Sequence, residues 1–183
     1  MTETKLRENL LVFILAGSDT VWSTFRALLV NIICSGKYAN LLRTDLRPEN
    51  LALAEPDWTY LDACIKETIR TNPSVSDMFN RIIGKGGLKL DSGEFLPEGT
   101  DVYINPWISN RDKTIYGEDA DEFVPERWLR ESKEKVAEMD KFIMTFGFGV
   151  RMCIGRKIAE QELAVTIRRV SPDTCVKEIR NQC

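Results

Sequence analysis

Apolar residues recur at helical spacing from Thr4 to Ile33, where Leu11, Ile14, Leu15, Trp22, Phe25, Leu29 and Ile32 fall along one stripe. The pattern predicts a single helix of about 45 Å at the usual rise per residue. Its middle, Ala16-Gly17-Ser18-Asp19-Thr20, interrupts a good helical run with poor helix formers. A mid-helix glycine costs about 1 kcal/mol relative to alanine, so something other than helix stability selects it. A threonine hydroxyl in that position can take a carbonyl of the preceding turn and bend the helix, while small residues also suit a close helix–helix contact. Gly36 and Lys37 end the helix, Tyr38 to Leu46 reads as a short second one closed by Arg47-Pro48, and Glu49 to Pro56 as a loop. Asp57 or Thr59 caps the next helix, with Thr59 to Asp62 at capping-box spacing, and that helix runs to about Thr71, ahead of Pro73. Leu61, Ile65 and Ile69 make its apolar stripe; Glu67 and Arg70, three apart, share a different face.

From Ser74 to Asn105 the period shifts toward strands. Met78 to Ile83 is one candidate and Asp101 to Ile104 another, with Leu96-Pro97-Glu98-Gly99 between them as a type I turn. Trp107 to Arg130 is loop-like with helical turns and contains Pro125-Glu126-Arg127-Trp128. Ala159, Leu163, Ile167 and Val170 then predict a last helix, stopped by Ser171-Pro172 and followed by a polar, cysteine-bearing tail to Cys183. The fold class is mainly α with a small antiparallel β-sheet.

Composition narrows the chemistry. At 183 residues, 43% hydrophobic and 29% charged, the chain has the balance of a soluble globular protein large enough to bury a core. A net charge of −3 offers no support for a nucleic acid or an anionic membrane as partner. The longest apolar run, Leu10 to Ala16, falls far short of the ~20 residues that span a bilayer, so no membrane segment is expected. The polar N-terminus does not read as a signal peptide. There is no histidine, which excludes His-based triads, the usual zinc sites and a His-ligated haem. Five scattered cysteines (Cys34, Cys64, Cys153, Cys175, Cys183) without a Cys-x-x-Cys pair point to a reducing compartment.

Phe146 to Gly155 concentrates what remains: three glycines, Arg151 and Cys153 directly ahead of a helical pattern. Glycines at that density let the backbone bend sharply or approach something flat and bulky. The amides opening the following helix favour a thiolate at Cys153, and a thiolate is a strong ligand for iron. The series Phe146-x-x-Gly149-x-Arg151-x-Cys153-x-Gly155 resembles the haem-binding loop of the cytochrome P450 family. Three further segments resemble that family in the same order. They are Ala16-Gly17-x-Asp19-Thr20, Glu67-x-x-Arg70, and Pro125-Glu126-Arg127-Trp128, the last with Trp where Phe is usual.

The resemblance implies the C-terminal part of the cytochrome P450 fold over residues 1–170, with 171–183 as an atypical tail. It implies haem b, with Cys153 as the iron ligand and Ala16, Gly17, Arg81, Phe146, Gly149, Arg151 and Gly155 around the cofactor. Arg81 would face a propionate, although an exposed strand arginine reads as well. Asp19 and Thr20 would deliver protons during oxygen activation, while Glu67, Arg70 and Arg127 would form a buried network of structural purpose. The implied function is monooxygenation of a small apolar substrate, with electrons from NADPH through an NADPH–cytochrome P450 reductase, in the style of fungal microsomal members of secondary metabolism. Two alternatives stand beside it: a haem-thiolate isomerase or dehydratase, which such an intact Asp19-Thr20 pair disfavours, and an inactive fragment binding haem weakly. The full-length relative would sit on the cytosolic face of the endoplasmic reticulum. The anchor, the helix supplying Trp and Arg to the other propionate, the substrate lid and the final strands have no counterpart in this sequence. The chain alone is therefore expected to be cytoplasmic or unstable, haem-poor and without monooxygenase activity.

Overall fold

A computed structural model describes residues 2–35, 60–76 and 80–169. The first helix, α1, spans Glu3–Ser35 unbroken, as the stripe predicts. The hydroxyls in its weak middle are satisfied within the helix: Thr20 Oγ1 donates to the Ala16 carbonyl at 2.7 Å and Thr24 Oγ1 to that of Thr20 at 3.0 Å. Its two halves differ sharply. Leu10 to Leu15 are all exposed, whereas Leu28, Ile32 and Ile33 are buried.

The second described helix, α2, covers Tyr60–Thr71 and is buried on nearly every side, polar positions included. The expected helix over 38–46, the loop after it, the caps Asp57 and Thr59, Val170 and the tail 171–183 lie outside the described residues.

The strand expected over Asp101 to Ile104 is shorter than its sequence pattern suggests, and the start of the other candidate, Met78 and Phe79, lies outside the described residues. β1 (Arg81–Ile82), β2 (Leu88–Lys89), β3 (Phe95–Leu96) and β4 (Asp101–Val102) form two antiparallel two-stranded ladders. β1 pairs with β4 in the register Arg81↔Val102, and β2 with β3 in the register Leu88↔Leu96. The candidate strand ending at Ile83 gives way to a glycine turn, and the one starting at Asp101 stops short of Asn105-Pro106. Gly87 (φ 74°) accounts for the tightness of that turn, because a Cβ there would lie 2.7 Å from the Leu96 carbonyl and closer still to the Phe95 ring. The type I turn over Leu96 to Gly99 is also corrected. Thr100 N donates to the Pro97 carbonyl at 3.2 Å, so Gly99, at φ 82°, is the third residue of a type II turn.

Three one-turn helices follow: α3 (Pro106–Ser109), α4 (Lys113–Tyr116) and α5 (Arg127–Arg130). Asn105 and Asp112 cap the first two, each accepting an amide at 2.9 Å. A further helix, α6 (Lys133–Lys141), has no counterpart in the sequence reading; it buries only Met139 and carries no clear apolar stripe. Two short 3-10 turns, Met144–Phe146 and Gly149–Arg151, lead to α7 (Arg156–Arg169), whose Leu163 and Ile167 are buried as its stripe predicts. One core results. α2 lies at its centre against α1, α5 and α7, joined by Tyr116, Trp128, Met139 and Ile143. Each large apolar side chain buried there contributes about 1.5–3 kcal/mol.

Candidate functional site

Glu67 sits at the middle of α2 with no exposure, and five N–H groups converge on its carboxylate. Arg70 grips it with two prongs, Nε to Oε2 at 2.9 Å and Nη2 to Oε1 at 2.8 Å. Arg127 Nε reaches Oε1 at 3.0 Å, the Val124 amide reaches the same oxygen at 2.9 Å, and the Trp128 indole N–H donates to Oε2 at 2.9 Å. The remaining Arg70 donors bind the carbonyls of Asn110, Ala120 and Glu122, and those of Arg127 bind Tyr116 and Asp119. Planar guanidinium groups thus tie α2 to the irregular segment 110–127, whose backbone carbonyls they satisfy. Burial works against the charge of Arg127, and the Glu67 and Asp119 carboxylates outweigh it, holding its pKa above the usual arginine value.

The route from this network to Cys153 runs through two residues that the sequence reading did not single out. Asn110 Nδ2 donates to the Arg70 carbonyl at 3.0 Å and to Thr145 Oγ1 at 2.9 Å, while its Oδ1 accepts the Met144 amide at 2.9 Å. Thr145 Oγ1 donates to the Ile69 carbonyl at 2.7 Å. Beyond Thr145 the chain doubles back through Gly147 and Gly149, at φ 71° and 68°, until Cys153 N donates to the Phe146 carbonyl at 2.8 Å. Cys153 is exposed at the end of this loop. A Cβ on Gly155 would lie 3.8 Å from its sulfur, and one on Gly149 would meet nothing within 4 Å. Phe148, Val150, Met152, Ile154 and Ile158 form an exposed apolar apron around it, with Val150 fully exposed and Ile154 88% exposed. Such an apron, opened by glycines and centred on a thiol, fits a flat apolar group with a thiolate-binding metal.

Behind the loop, Arg156 packs its guanidinium over the Phe146 ring, 5.2 Å from the centroid. Asp140 Oδ1 and Oδ2 accept from it at 3.0 and 3.2 Å, and Glu160 Oε1 at 2.8 Å. Lys66 of α2 joins the same Asp140 at 2.7 Å. Burial works against the Asp140 charge, but the hydrogen bond and charge of Lys66, with Arg156, outweigh it and lower its pKa below the usual carboxyl value. Burial likewise pushes the Lys66 ammonium down, with Asp140 offsetting only part of that shift.

On α1, Gly17 and Ser18 line an open cleft of about 470 Å³ facing Glu162, Leu163 and Thr166 of α7. Ala16 and Asp19 are exposed and Thr20 half-buried. Arg81 is exposed on β1, with Nη1 donating to the neighbouring Asn80 carbonyl, and Arg151 is exposed beside the cysteine. The fold therefore gathers Glu67, Arg70 and Arg127 into one contact set, and Phe146, Cys153 and Gly155 into another. Among the described residues no hydrogen bond or ion pair joins Asp19, Thr20 or Arg81 to the cysteine loop.

Residues 1–170 match the family model for cytochrome P450. The chain is 40% identical over 157 residues to the cytochrome P450 monooxygenase pkfB of Emericella nidulans, covering 82% of this chain and 30% of that protein. It is 36% identical over 160 residues to the monooxygenase mpaDE of Penicillium brevicompactum, covering 82% and 19%, and 35% identical over 161 residues to pisatin demethylase of Fusarium vanettenii, covering 85% and 30%. A crystal structure of a cytochrome P450 superposes with a TM-score of 0.71 at 25% identity, over 88% of this chain and 37% of that one. The chain thus spans about a third or less of the curated relatives it matches. The doubly satisfied Glu67 and the glycine-bent cysteine loop lie within that shared stretch, and this chain belongs to the haem-binding cytochrome P450 family.

Proposed function

We propose that this chain is the haem-binding part of a haem-thiolate monooxygenase, which oxidises a small apolar substrate with O2 and with electrons from NADPH passed on by a P450 reductase. The observation that carries this reading is the exposed Cys153 thiol inside its apolar apron, with the backbone N–H turned back onto Phe146. When bound, haem b would supply iron-centred activation of oxygen. The chain's own part is to hold, orient and exclude water. Cys153 would ligate the iron; Phe146, Gly149 and Gly155 would lie beneath the ring. The exposed cations Arg81 and Arg151 would suit the propionates, and Ala16 with Gly17 would leave α1 slim enough to admit the group beside it. Thr20 would hand on a proton from Oγ1, which in the resting arrangement is parked on the Ala16 carbonyl. Asp19, exposed to water, would restore that proton. The family context supports placement on the cytosolic face of the endoplasmic reticulum; among the described residues, no helix is long and apolar enough to cross a membrane.

Cys153→Ser tests the reading. The variant is expected to lose the red-shifted Soret band of the ferrous carbon monoxide complex, and an unchanged band would overturn the assignment. Thr20→Ala is expected to keep that band while raising the peroxide released per NADPH consumed. Turnover without NADPH and reductase would favour the isomerase or dehydratase reading instead.

A further inference from the structure

The last four carbonyls of a helix have no partner within it, and a buried helix end must find donors elsewhere. At the end of α2 the Thr68 carbonyl is met locally, the other three find donors elsewhere in the fold, and two of those donors lead to the cysteine loop. The Thr68 carbonyl accepts the Asn72 amide at 2.8 Å, and that of Thr71 accepts Arg111 Nη2. Between them, the Ile69 carbonyl accepts Thr145 Oγ1 and the Arg70 carbonyl accepts Asn110 Nδ2. Asn110 and Thr145 also bond each other, and Asn110 holds the Met144 amide. Asn110 is fully buried, and both its side-chain polar atoms are engaged. Thr145 is followed directly by Phe146, whose carbonyl receives the Cys153 amide.

We propose that Asn110 and Thr145 are positioning residues for the cysteine ligand, docking the cysteine loop onto the C-terminal carbonyls of α2 and so fixing where the Cys153 thiol stands. The inference rests on the haem-thiolate reading above. Its physical basis is the shortness of the path. The carbonyl that holds Cys153 belongs to the residue next to Thr145, and the clamp's other side is α2, which the Glu67 network immobilises. Loosening the clamp lets the tip of the loop shift with little exposure of the core, because Phe148, Val150, Met152 and Ile154 already face outward and only Phe146 packs against the core.

The test compares Thr145→Val, which keeps the shape but removes the hydroxyl, with Thr145→Ser, which keeps the hydroxyl. In the haem-loaded protein, Thr145→Val removes both the bond donated to the Ile69 carbonyl and the one accepted from Asn110, and is expected to raise the ratio of thiol-ligated to thiolate-ligated ferrous carbon monoxide complex at least about fivefold, the shift that either bond alone would produce at ordinary worth. Thr145→Ser is expected to restore the wild-type ratio. Alkylation of the buried Cys64 thiol, followed by peptide mass, is expected to stay as slow as in the wild type, since the core is unchanged. A wild-type ratio in Thr145→Val, or failure of serine to restore it, would overturn the inference. So would Cys64 labelling that rises together with the spectral change, because that marks general unfolding. A wild-type protein without any red-shifted band would instead overturn the haem-thiolate reading, and the inference with it.

Discussion

The Glu67 network and the cysteine loop, joined through Asn110 and Thr145, reverse the usual partition of side chains. In the first, one carboxylate and two guanidinium groups are removed from water almost completely. In the second, Val150, Ile154, Phe148 and Ile158 stand in solvent while the polar backbone turns inward. Buried charge is tolerable only where every donor and acceptor finds a partner, and the Glu67 oxygens between them accept five N–H groups. Exposed apolar residues in a cluster signal a surface meant to be covered. One region is complete as it stands, whereas the other leaves apolar surface uncovered, as the proposed haem site would. Substitutions should therefore damage the first through stability and the second through ligand affinity.

The largest expected effect is at Arg70. Removing one partner of a buried ion pair costs about 3–5 kcal/mol, on the scale of a whole domain's stability. Arg70→Lys should be almost as damaging as Arg70→Ala, because an ammonium cannot make the two-pronged contact to Glu67 or reach three carbonyls as well. Urea unfolding measures this directly. A soluble Arg70→Lys protein with wild-type stability would break the comparison at its first term.

Trp128 comes next. It stands where the family usually has Phe, and its indole N–H supplies the fifth donor to Glu67. Trp128→Phe keeps most of the buried ring but removes a hydrogen bond to a buried charge, so a loss of about 1.5–3 kcal/mol is expected. A loss below about 0.5 kcal/mol, the range of ordinary surface substitutions, would mean the other four donors already satisfy the carboxylate.

Asp140 lies between the two regions, half-buried against Lys66, Arg156 and the edge of the loop. Its folded pKa lies below the ordinary value of 3.8, so its contribution is complete above that pH and is lost as pH falls through the folded value. Asp140→Asn should cost about 1–2 kcal/mol at neutral pH, between the worth of exposed and fully buried pairs. The variant should also show a flatter fall of melting temperature below pH 3.8 than the wild type, which a melting series in acid would reveal.

Legibility in the sequence follows the same division. α1, α2 and α7 were readable because each carries a stripe at helical spacing, and Cys153 because its glycine frame is dense and local. α6 was not, because it buries only Met139 and so leaves no period to detect. The strand from Asp101 was over-extended to Ile104 because a short β ladder ends where its partner strand ends, not where alternation stops. Asn110 and Thr145 were missed for a different reason. Their partners lie 34 to 76 residues away, and a buried amide or hydroxyl has no sequence signature until the fold brings its partner to it. Resemblance to the family marked Arg127 as a partner of Glu67, whereas nothing local to Pro125-Glu126-Arg127-Trp128 would have done so.

The smallest expected effect on stability is at the loop itself, and it sharpens the comparison most. Val150 is fully exposed and Ile154 nearly so, so neither packs against the protein. Val150→Ser with Ile154→Gln should therefore change unfolding free energy of the haem-free protein by no more than about 0.5 kcal/mol, the range of ordinary surface substitutions. The same pair removes apolar area that a flat apolar ligand would cover, and each large side chain so covered is worth about 1.5–3 kcal/mol. Haem affinity should accordingly fall at least tenfold, the ratio that about 1.4 kcal/mol produces. Haem titration followed by absorbance, alongside urea unfolding without haem, reads the two quantities separately. A double variant that loses stability without haem, or that binds haem as tightly as the wild type, would show that the apron serves the fold and not the ligand.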